Sequence, residues 1–191
     1  MAVINRKLLW EGRFLRAVLI DYRVRCNSSG EVEKRDWEAF ERVNCAGVVG
    51  IVPFTRTGEV ILIRQFRPPV NGHVVELPAG LVDTGEAFED AVRRELVEET
   101  GYAAGTLHFL TAGPMSSGAS SEILHVYIAT DLTHVGVGER DETEDIEVLL
   151  VPVEDLAGKL EACRAQGDHV DLKVYGLTAL AAGFLEKKAE G

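Results

Sequence analysis

The chain has 191 residues, of which 46% are hydrophobic and 27% are charged, and its formal net charge is −11. This length suits one domain with its own core, and this balance is typical of a globular protein. A chain this acidic argues against binding to nucleic-acid backbones, which requires clustered basic side chains. It is compatible with a small anionic substrate if metal ions supply the positive charge.

Membrane attachment and secretion are not expected. No apolar run approaches the roughly 20 residues that a membrane-spanning helix needs. Residues 1–20 carry scattered charges and contain no small-residue cleavage site, so they do not resemble a secretory signal. The cysteines (Cys26, Cys45 and Cys163) are odd in number and far apart, which is typical of reduced thiols. We therefore expect a cytoplasmic protein with no membrane partner.

Residues 1 to about 42 are predicted to form a small β extension ahead of a main domain at 43–191. Residues 14–26 alternate in part between apolar and polar side chains, as a strand does. A turn at 27–31 separates them from a second predicted strand at 34–43.

The main domain opens with two β-branched runs, 46–54 and 59–68, which predict a hairpin around the turn at 55–59. A third strand, 73–82, is predicted to run into a Pro/Gly loop. The remaining patterns predict strands at 123–132 and 146–156, and helices at about 86–100, 153–165 and 170–187. Strands mixed with separated helices predict an α/β (α+β) chain with a mixed sheet packed by helices.

The helix predicted from about Glu86 to Thr100 carries the most informative pattern. Asp83 or Thr84 is its expected N-cap, because short polar side chains accept hydrogen bonds from the first turn. Gly101 suits a left-handed residue at the C-terminal end.

The inward face of this helix changes from apolar to acidic along its length. At about 100° per residue, the side chains that share the side of Phe88 are those of Ala91, Val92, Glu95 and Glu99. Glu98 lies near one edge of that stripe. Carboxylates clustered near an interior repel each other and lose hydration, so they need a compensating charge. Carboxylates at i, i+3 and i+4 can converge on Mg²⁺ or Mn²⁺, whereas the alternative is an exposed acidic helix end.

The spacing of the fixed residues decides between these readings. Gly80 is followed after five residues by Glu86, and after seven more by Arg94-Glu95, an apolar residue, Glu98-Glu99 and Gly101. With every specified position filled, residues 80–102 resemble the signature box of the Nudix hydrolases. The resemblance implies a Nudix fold, an α/β/α sandwich around a mixed sheet. It also implies hydrolysis of a nucleoside diphosphate linked to another group.

The resemblance also implies a metal centre of two or more Mg²⁺ ions, with Mn²⁺ as an alternative. The family's metal ligands carry over to Glu95, Glu98 and Glu99, with the carbonyl oxygen of Ala79 as a further ligand. Glu86 and Arg94 carry over as a pair that orients these ligands, next to Gly80. Glu98, Glu99 and Arg94 are thereby the catalytic candidates within the box.

Residues 63–86 resemble the segment that leads into the box in ADP-ribose pyrophosphatases and related ADP-sugar hydrolases. By that resemblance Arg67 contacts substrate phosphate, whereas its plain alternative is a surface arginine that anchors a strand end. Residues 34–43 resemble the stretch whose tryptophan stacks on adenine. This makes Trp37, with Glu38 and the preceding Arg35, a nucleotide-binding candidate, although a lone tryptophan is more often a core or interface residue.

Two segments after the box bear on substrate and mechanism. In residues 112–122, Pro114 matches a mark of ADP-ribose specificity, but Met115 stands where the family usually has glycine. Glu122 is a candidate substrate or metal contact, with a plain strand-start residue as the alternative. The acidic stretch at 139–148 resembles the mobile loop that carries the catalytic base, which falls on Glu142 or Glu144.

Together these features lead us to expect Mg²⁺-dependent hydrolysis of ADP-ribose to AMP and ribose 5-phosphate. The resemblance further implies a homodimer in which the N-terminal extension contributes substrate contacts across the interface. Two alternatives stay open: a Nudix hydrolase of another nucleoside diphosphate sugar or an oxidised nucleoside diphosphate, and a module that binds ADP-ribose without cleaving it.

Overall fold

The computed structural model describes residues 1–26, 30–136 and 145–189. Over these residues the elements are β1 (Ala2–Glu11), β2 (Leu15–Arg25), β3 (Val32–Arg42), β4 (Cys45–Pro53), β5 (Glu59–Arg67), β6 (Gly72–Glu76), β7 (Ala79–Asp83), α1 (Phe88–Thr100), β8 (Tyr102–Ala103), β9 (Thr106–Pro114), β10 (Ile123–Thr130), β11 (Thr133–His134), β12 (Ile146–Pro152), α2 (Leu156–Ala165), β13 (His169–Val170) and α3 (Lys173–Ala189). None of the helices within the described ranges has both the length and the apolar character needed to cross a membrane.

The first three strands form a separate antiparallel sheet in the order β1-β2-β3. Its β1 was not predicted, because its polar and apolar residues do not alternate. The buried carboxylate of Glu41 on β3 pairs with Arg6 of β1 and with Arg16 of β2, which ties the three strands together. Large apolar side chains of this sheet remain exposed, namely Val3, Ile4, Leu8, Leu9, Trp10, Leu15, Val32, Trp37 and Phe40.

Among the described residues, the remaining strands form two four-stranded sheets, in the orders β7-β4-β10-β9 and β12-β5-β6-β13, and a two-stranded sheet of β8 and β11. Strands β4 and β10 are parallel, as are β6 and β13, while the other pairs in these sheets are antiparallel. The four-stranded sheets are therefore mixed, and the predicted mixed α/β fold is confirmed.

Strand β4 is buried on both faces and separates two cores. Val48 and Val52 point into the larger core, which β5, β6, β10, β12, α2 and α3 complete. Val49 and Ile51 point the other way and pack with Ala91, Val92 and Leu96 of α1. Because side chains alternate along a strand, one continuous apolar run supplies both cores. Helix α1 is thereby fixed on the sheet that contains β4 and β7.

The predicted hairpin of residues 46–54 and 59–68 is wrong. Strands β4 and β5 lie in different sheets, and the strand pairing between the two runs is limited to a single bridge between Phe54 and Val60. The turn between them does form, since the Gly58 N–H donates to the carbonyl of Thr55. The two strands then separate because β4 pairs with β7 and β10, whereas β5 pairs with β6 and β12.

The predicted strand at 73–82 is in fact two strands in two sheets. Strand β6 ends at Glu76, and β7 begins at Ala79. Pro78 has no N–H to continue a ladder of hydrogen bonds, so the chain changes sheet at this point. The Pro78 carbonyl instead accepts a hydrogen bond from the Ile51 N–H of β4.

An ion pair ties β5 to the turn before β13. The Arg64 guanidinium donates from Nε and Nη2 to the two carboxylate oxygens of Asp168, each at 2.8 Å. Asp168 is buried, and the hydrogen bonds from Arg64 lower the pKa of its carboxyl. Two-point pairing of this kind is stronger than a single exposed contact.

We expect Asp168→Asn to lower the free energy of unfolding by about 1–3 kcal/mol at pH 7, since a hydrogen-bonded charge is lost. Because the folded-state pKa of Asp168 is lowered, its contribution is present above the unfolded pKa of about 3.9 and is lost as the pH falls through the folded value. The difference in the free energy of unfolding between wild type and variant should therefore become smaller at acid pH. Urea unfolding at several pH values measures it.

Glu161→Gln is the matched control for this prediction. It breaks the pair between Glu161 and Arg164, whose side chains are both exposed. An exposed pair contributes only about 0–1 kcal/mol, so little change is expected. Equal losses in the two variants would show that the Arg64–Asp168 pair has no special role.

Candidate active site

Helix α1, which carries Glu95, Glu98 and Glu99, begins later in the chain than predicted. It starts at Phe88, and its N-cap, Ala87, offers no side-chain hydrogen bond. The predicted caps are wrong because Asp83 ends β7, where its N–H donates to Glu86 and its carbonyl accepts from the Glu86 N–H. Gly101 closes the helix in the left-handed conformation, with φ of 78°, as predicted.

A cavity of about 700 Å³ opens where α1, β5, β6 and β7 meet. Its acidic side chains are those of Glu76, Asp83, Glu95, Glu98, Glu99, Glu122 and Asp171, and its basic side chains are those of Arg42, Arg67, Arg94 and Lys173. Ala79 and Gly80 of β7 line it too. The structure thus gathers Arg67, Arg94 and the four candidate metal ligands at one place, together with Glu122 from beyond the box, whereas Glu86 is not among the lining residues.

Glu99 is the deepest of the box carboxylates. It is 8% exposed, and its Oε2 accepts a hydrogen bond of 2.9 Å from the N–H of Ala79. Burial raises the pKa of Glu99 to about 8, opposed by the Ala79 hydrogen bond and the charge of Arg67 and reinforced by the charges of Glu95 and Glu76. A carboxylate in such surroundings is best stabilised as an anion by a cation placed against it.

Arg94 joins the loop before α1 to the glutamates on the helix. Its Nε and Nη2 donate to the two oxygens of Glu86 at 3.0 and 3.1 Å, and this pairing is the main reason why its pKa is raised. Its Nη1 donates to Glu95 at 2.7 Å and to Glu98 at 3.2 Å. Its Nη2 also donates to the carbonyl of Leu81 on β7. One guanidinium therefore sets the positions of three carboxylates relative to the strand.

Gly80 is required by the close approach of the helix to β7. A Cβ atom at this position would overlap the carboxylate of Glu95. Any other residue would displace Glu95 from the cavity edge, which explains physically why the box opens with glycine.

The donor set matches the preference of a hard divalent cation for oxygen ligands. In the ranges that the structure covers, however, no three His, Cys, Asp or Glu side chains are arranged as a metal-binding group. The contacts explain this, because Arg94 bonds to Glu95 and Glu98 while Glu99 bonds to the backbone of β7. The ligand set of Glu95, Glu98, Glu99 and the Ala79 carbonyl therefore stays a prediction.

Two ion pairs in the cavity include residues that the sequence did not single out. The Arg67 Nε donates to Glu76 at 2.7 Å, and the Arg42 Nε donates to Glu122 at 2.7 Å. Glu76 could have been noticed as an isolated charge in an apolar strand, which usually has a partner. Arg42 gives no comparable signal, because its partner is 80 residues away.

The predicted nucleotide-binding residues on β3 lie outside this cavity. Arg35, Trp37 and Glu38 are all exposed, and none of them is among its lining residues. Arg35 pairs with Glu33 on the same strand. Glu142 and Glu144, the two candidates for the catalytic base, fall outside the described residues.

Strand β3 instead holds the segment 115–122, whose two end residues, Met115 and Glu122, line the cavity. The Trp37 Nε1 donates to the carbonyl of Gly118 at 3.0 Å. The Phe40 N–H donates to the carbonyl of Ala119, and the Phe40 carbonyl accepts from the N–H of Ser121. The Arg42–Glu122 pair completes this attachment. The N-terminal sheet thus reaches the cavity directly at Arg42 and indirectly through the 115–122 segment.

Comparison with known proteins agrees with this geometry. A family model described as the NUDIX domain matches residues 46–170. The chain is 38% identical over 160 residues to an ADP-ribose pyrophosphatase of Bacillus subtilis (strain 168), covering 83% of this chain and 82% of that protein. It is 35% identical over 162 residues to a GDP-mannose pyrophosphatase of Enterobacter sp. (strain 638), covering 80% and 81%. A crystal structure of an ADP compounds hydrolase superposes with a TM-score of 0.74 at 25% identity, covering 100% of this chain and 95% of that one.

These matches, together with the mixed fold, identify an enzyme of the hydrolase class. More particularly, the chain belongs to the Nudix family, as the resemblance of residues 80–102 predicted.

We expect Glu99→Gln to lower turnover by more than about 100-fold, because changes to groups that only orient metal ligands already cost about 10–100-fold. The amide keeps the shape of the side chain and an oxygen for the Ala79 N–H, so thermal unfolding should be unchanged or shifted upward. Steady-state assays and melting curves on the same preparations check both expectations.

Glu89→Gln provides the matched control. Glu89 lies on the exposed first turn of the same helix and does not line the cavity. Its replacement should leave turnover unchanged. Equal turnover in Glu99→Gln and wild type would show that Glu99 is not a metal ligand.

Proposed function

We propose that this enzyme hydrolyses the diphosphate bond of ADP-ribose, giving AMP and ribose 5-phosphate, with two or more Mg²⁺ ions per site and Mn²⁺ as an alternative. The observation that carries this proposal is the cavity in which the box glutamates face Arg67. The names of similar proteins, which include an ADP-ribose pyrophosphatase and an ADP compounds hydrolase, favour an ADP-linked substrate.

In this proposal the residues of the cavity have separate roles. Glu95, Glu98, Glu99 and the Ala79 carbonyl hold the ions, and Arg94 orients the first two. Bound divalent ions would neutralise the diphosphate and lower the pKa of a bound water.

The substrate contacts are assigned in the same way. Arg67 lies in the cavity wall and is proposed to bind a phosphate oxygen. Glu122, fixed by Arg42, is proposed to contact the sugar end of the substrate. Glu142 or Glu144 is proposed to act as the base that receives the proton of the attacking water.

A second nucleotide sugar has specific support. The chain resembles a GDP-mannose pyrophosphatase almost as strongly as the ADP-ribose enzyme. In this proposal the cavity chiefly binds the diphosphate. Residues outside the cavity therefore have to distinguish adenine from guanine. A module that binds without cleaving is disfavoured by the complete set of box carboxylates.

The reaction is tested by incubating the protein with ADP-ribose, an ADP-hexose and GDP-mannose in Mg²⁺, Mn²⁺ or EDTA. We expect AMP and ribose 5-phosphate from ADP-ribose, a higher kcat/KM than for GDP-mannose, and no product in EDTA. A higher kcat/KM for GDP-mannose would make GDP-mannose the proposed substrate. Absence of product from every substrate and ion would overturn it.

The cytoplasm is the proposed location. None of Cys26, Cys45 and Cys163 forms a disulfide within the described residues. Reduced thiols are typical of that compartment.

We also propose that residues 1–42 form a dimerisation unit ahead of the Nudix domain at 43–191, and that the adenine site lies between two subunits. The exposed apolar side chains of the N-terminal sheet, among them Leu8, Trp10 and Trp37, are more than a monomer usually leaves in water. Trp37 also lies outside the cavity of its own chain. A site completed by the partner would account for both features.

Mixing two inactive variants tests the shared site. In a dimer of Trp37→Ala with Glu99→Gln, one site would combine the intact Glu99 of the first chain with the intact Trp37 of the second. Unfolding and refolding the two variants together should then restore about a quarter of wild-type turnover, since half of the dimers are mixed and each has one complete site.

The mass in solution and a control mixture complete the experiment. Light scattering should give twice the chain mass of 20.9 kDa. A mixture of Glu98→Gln with Glu99→Gln should stay inactive, because each site takes its whole α1 helix from one chain and every chain carries a substitution there. A monomer, or a dimer without recovery of turnover, would contradict the shared site.

A further inference from the structure

Gln65 is a buried side chain with an unused hydrogen-bond donor in the wall of the cavity. It is 8% exposed and lines the cavity beside the carboxylates. Within the part of the chain that the structure describes, its Nε2 makes no hydrogen bond. The other buried side-chain atom with this property is Oγ1 of Thr178 on α3, a residue that does not line the cavity.

An unused donor at this position costs stability. A buried amide without an acceptor is less favourable than an apolar side chain of the same shape, because the amide has lost its hydrogen bonds to water. The neighbouring inward residues of β5, Ile61 and Ile63, are completely buried and apolar. An apolar residue at 65 would continue this pattern, so the amide calls for an acceptor that the described residues do not provide.

The position of Gln65 indicates what that acceptor is. Gln65 and Arg67 are two residues apart on β5, so their side chains point to the same face, about 7 Å apart along the strand. Both line the cavity, and Arg67 pairs there with Glu76 of β6. A neutral donor and a cation therefore lie on the same face of one strand, where both can reach oxygens of one bound diphosphate.

We propose that Gln65 is a substrate-binding residue whose amide donates a hydrogen bond to a phosphate oxygen of the bound diphosphate, next to Arg67. A rotation about the terminal bond of the side chain turns the N–H₂ group toward the cavity. The phosphate oxygens are acceptors only, which matches a donor. This inference rests on the proposed function, since it requires a diphosphate in the cavity.

Gln65→Met tests the inference, because methionine keeps the length of the side chain and removes the donor. We expect kcat/KM to fall about tenfold to a hundredfold, mainly through a higher KM, since a hydrogen bond to a charged acceptor is lost. We expect Tm to rise by about 2–8 °C, since the unsatisfied amide is removed. Higher stability with weaker substrate binding distinguishes a ligand-binding group from a structural one.

Thr178→Val is the matched control, because it removes the other unsatisfied buried polar atom away from the cavity. It should raise Tm while leaving kcat and KM unchanged. Gln65→Glu, which keeps the shape but adds a negative charge near Glu76 and Glu99, should raise KM more than Gln65→Met does. Unchanged KM in Gln65→Met, or a lower Tm with unchanged KM, would overturn the inference.

The kinetic comparison uses whichever nucleotide sugar the wild type hydrolyses fastest, so a change of substrate does not affect it. If the wild type hydrolyses none, the proposed function fails, and binding of inorganic diphosphate in the presence of Mg²⁺ is measured by calorimetry instead. Weaker binding by Gln65→Met would still support the role of Gln65. Equal binding by the two proteins would overturn it.

Discussion

Crowding of negative charge is the constraint on which this structure depends. Five glutamates line one cavity in a chain whose net charge is already −11. Arg94 offsets part of that charge by holding Glu86, Glu95 and Glu98 with a single guanidinium, and it also bonds to β7. The same contacts fix where helix, loop and strand meet. The contacts of Arg94 therefore both balance the negative charge and fix the position of the helix.

The apolar side of α1 makes this arrangement rigid. Ala91, Val92 and Leu96 pack on Val49 and Ile51 of β4, whose other face belongs to the second core. The helix cannot move away from β7 without opening the core to which these five side chains belong. It cannot move closer either, because the Glu95 carboxylate already lies against Gly80. The packing of α1 on β4 and the absence of a side chain at Gly80 together determine how far the carboxylates extend into the cavity.

The sequence predicted well what depends on local spacing. The box helix, its end at Gly101 and the mixed fold could all be derived from residues near one another or from a continuous motif. The hairpin of 46–54 and 59–68 failed because both runs are apolar enough to be central strands, and periodicity does not choose their neighbours. The pairs Arg42–Glu122 and Arg67–Glu76, and the unsatisfied amide of Gln65, depend on residues that only the tertiary fold brings together.

The 115–122 segment has a consequence for how such enzymes can vary. Its backbone hydrogen bonds with Phe40, its contact with Trp37 and its ion pair with Arg42 all come from one strand of the N-terminal sheet. An altered β3 would therefore reshape a wall of the cavity without any substitution in the Nudix box. Strand β3 and the 115–122 segment form a single structural unit, and a chimera that exchanges one of them has to exchange the other with it.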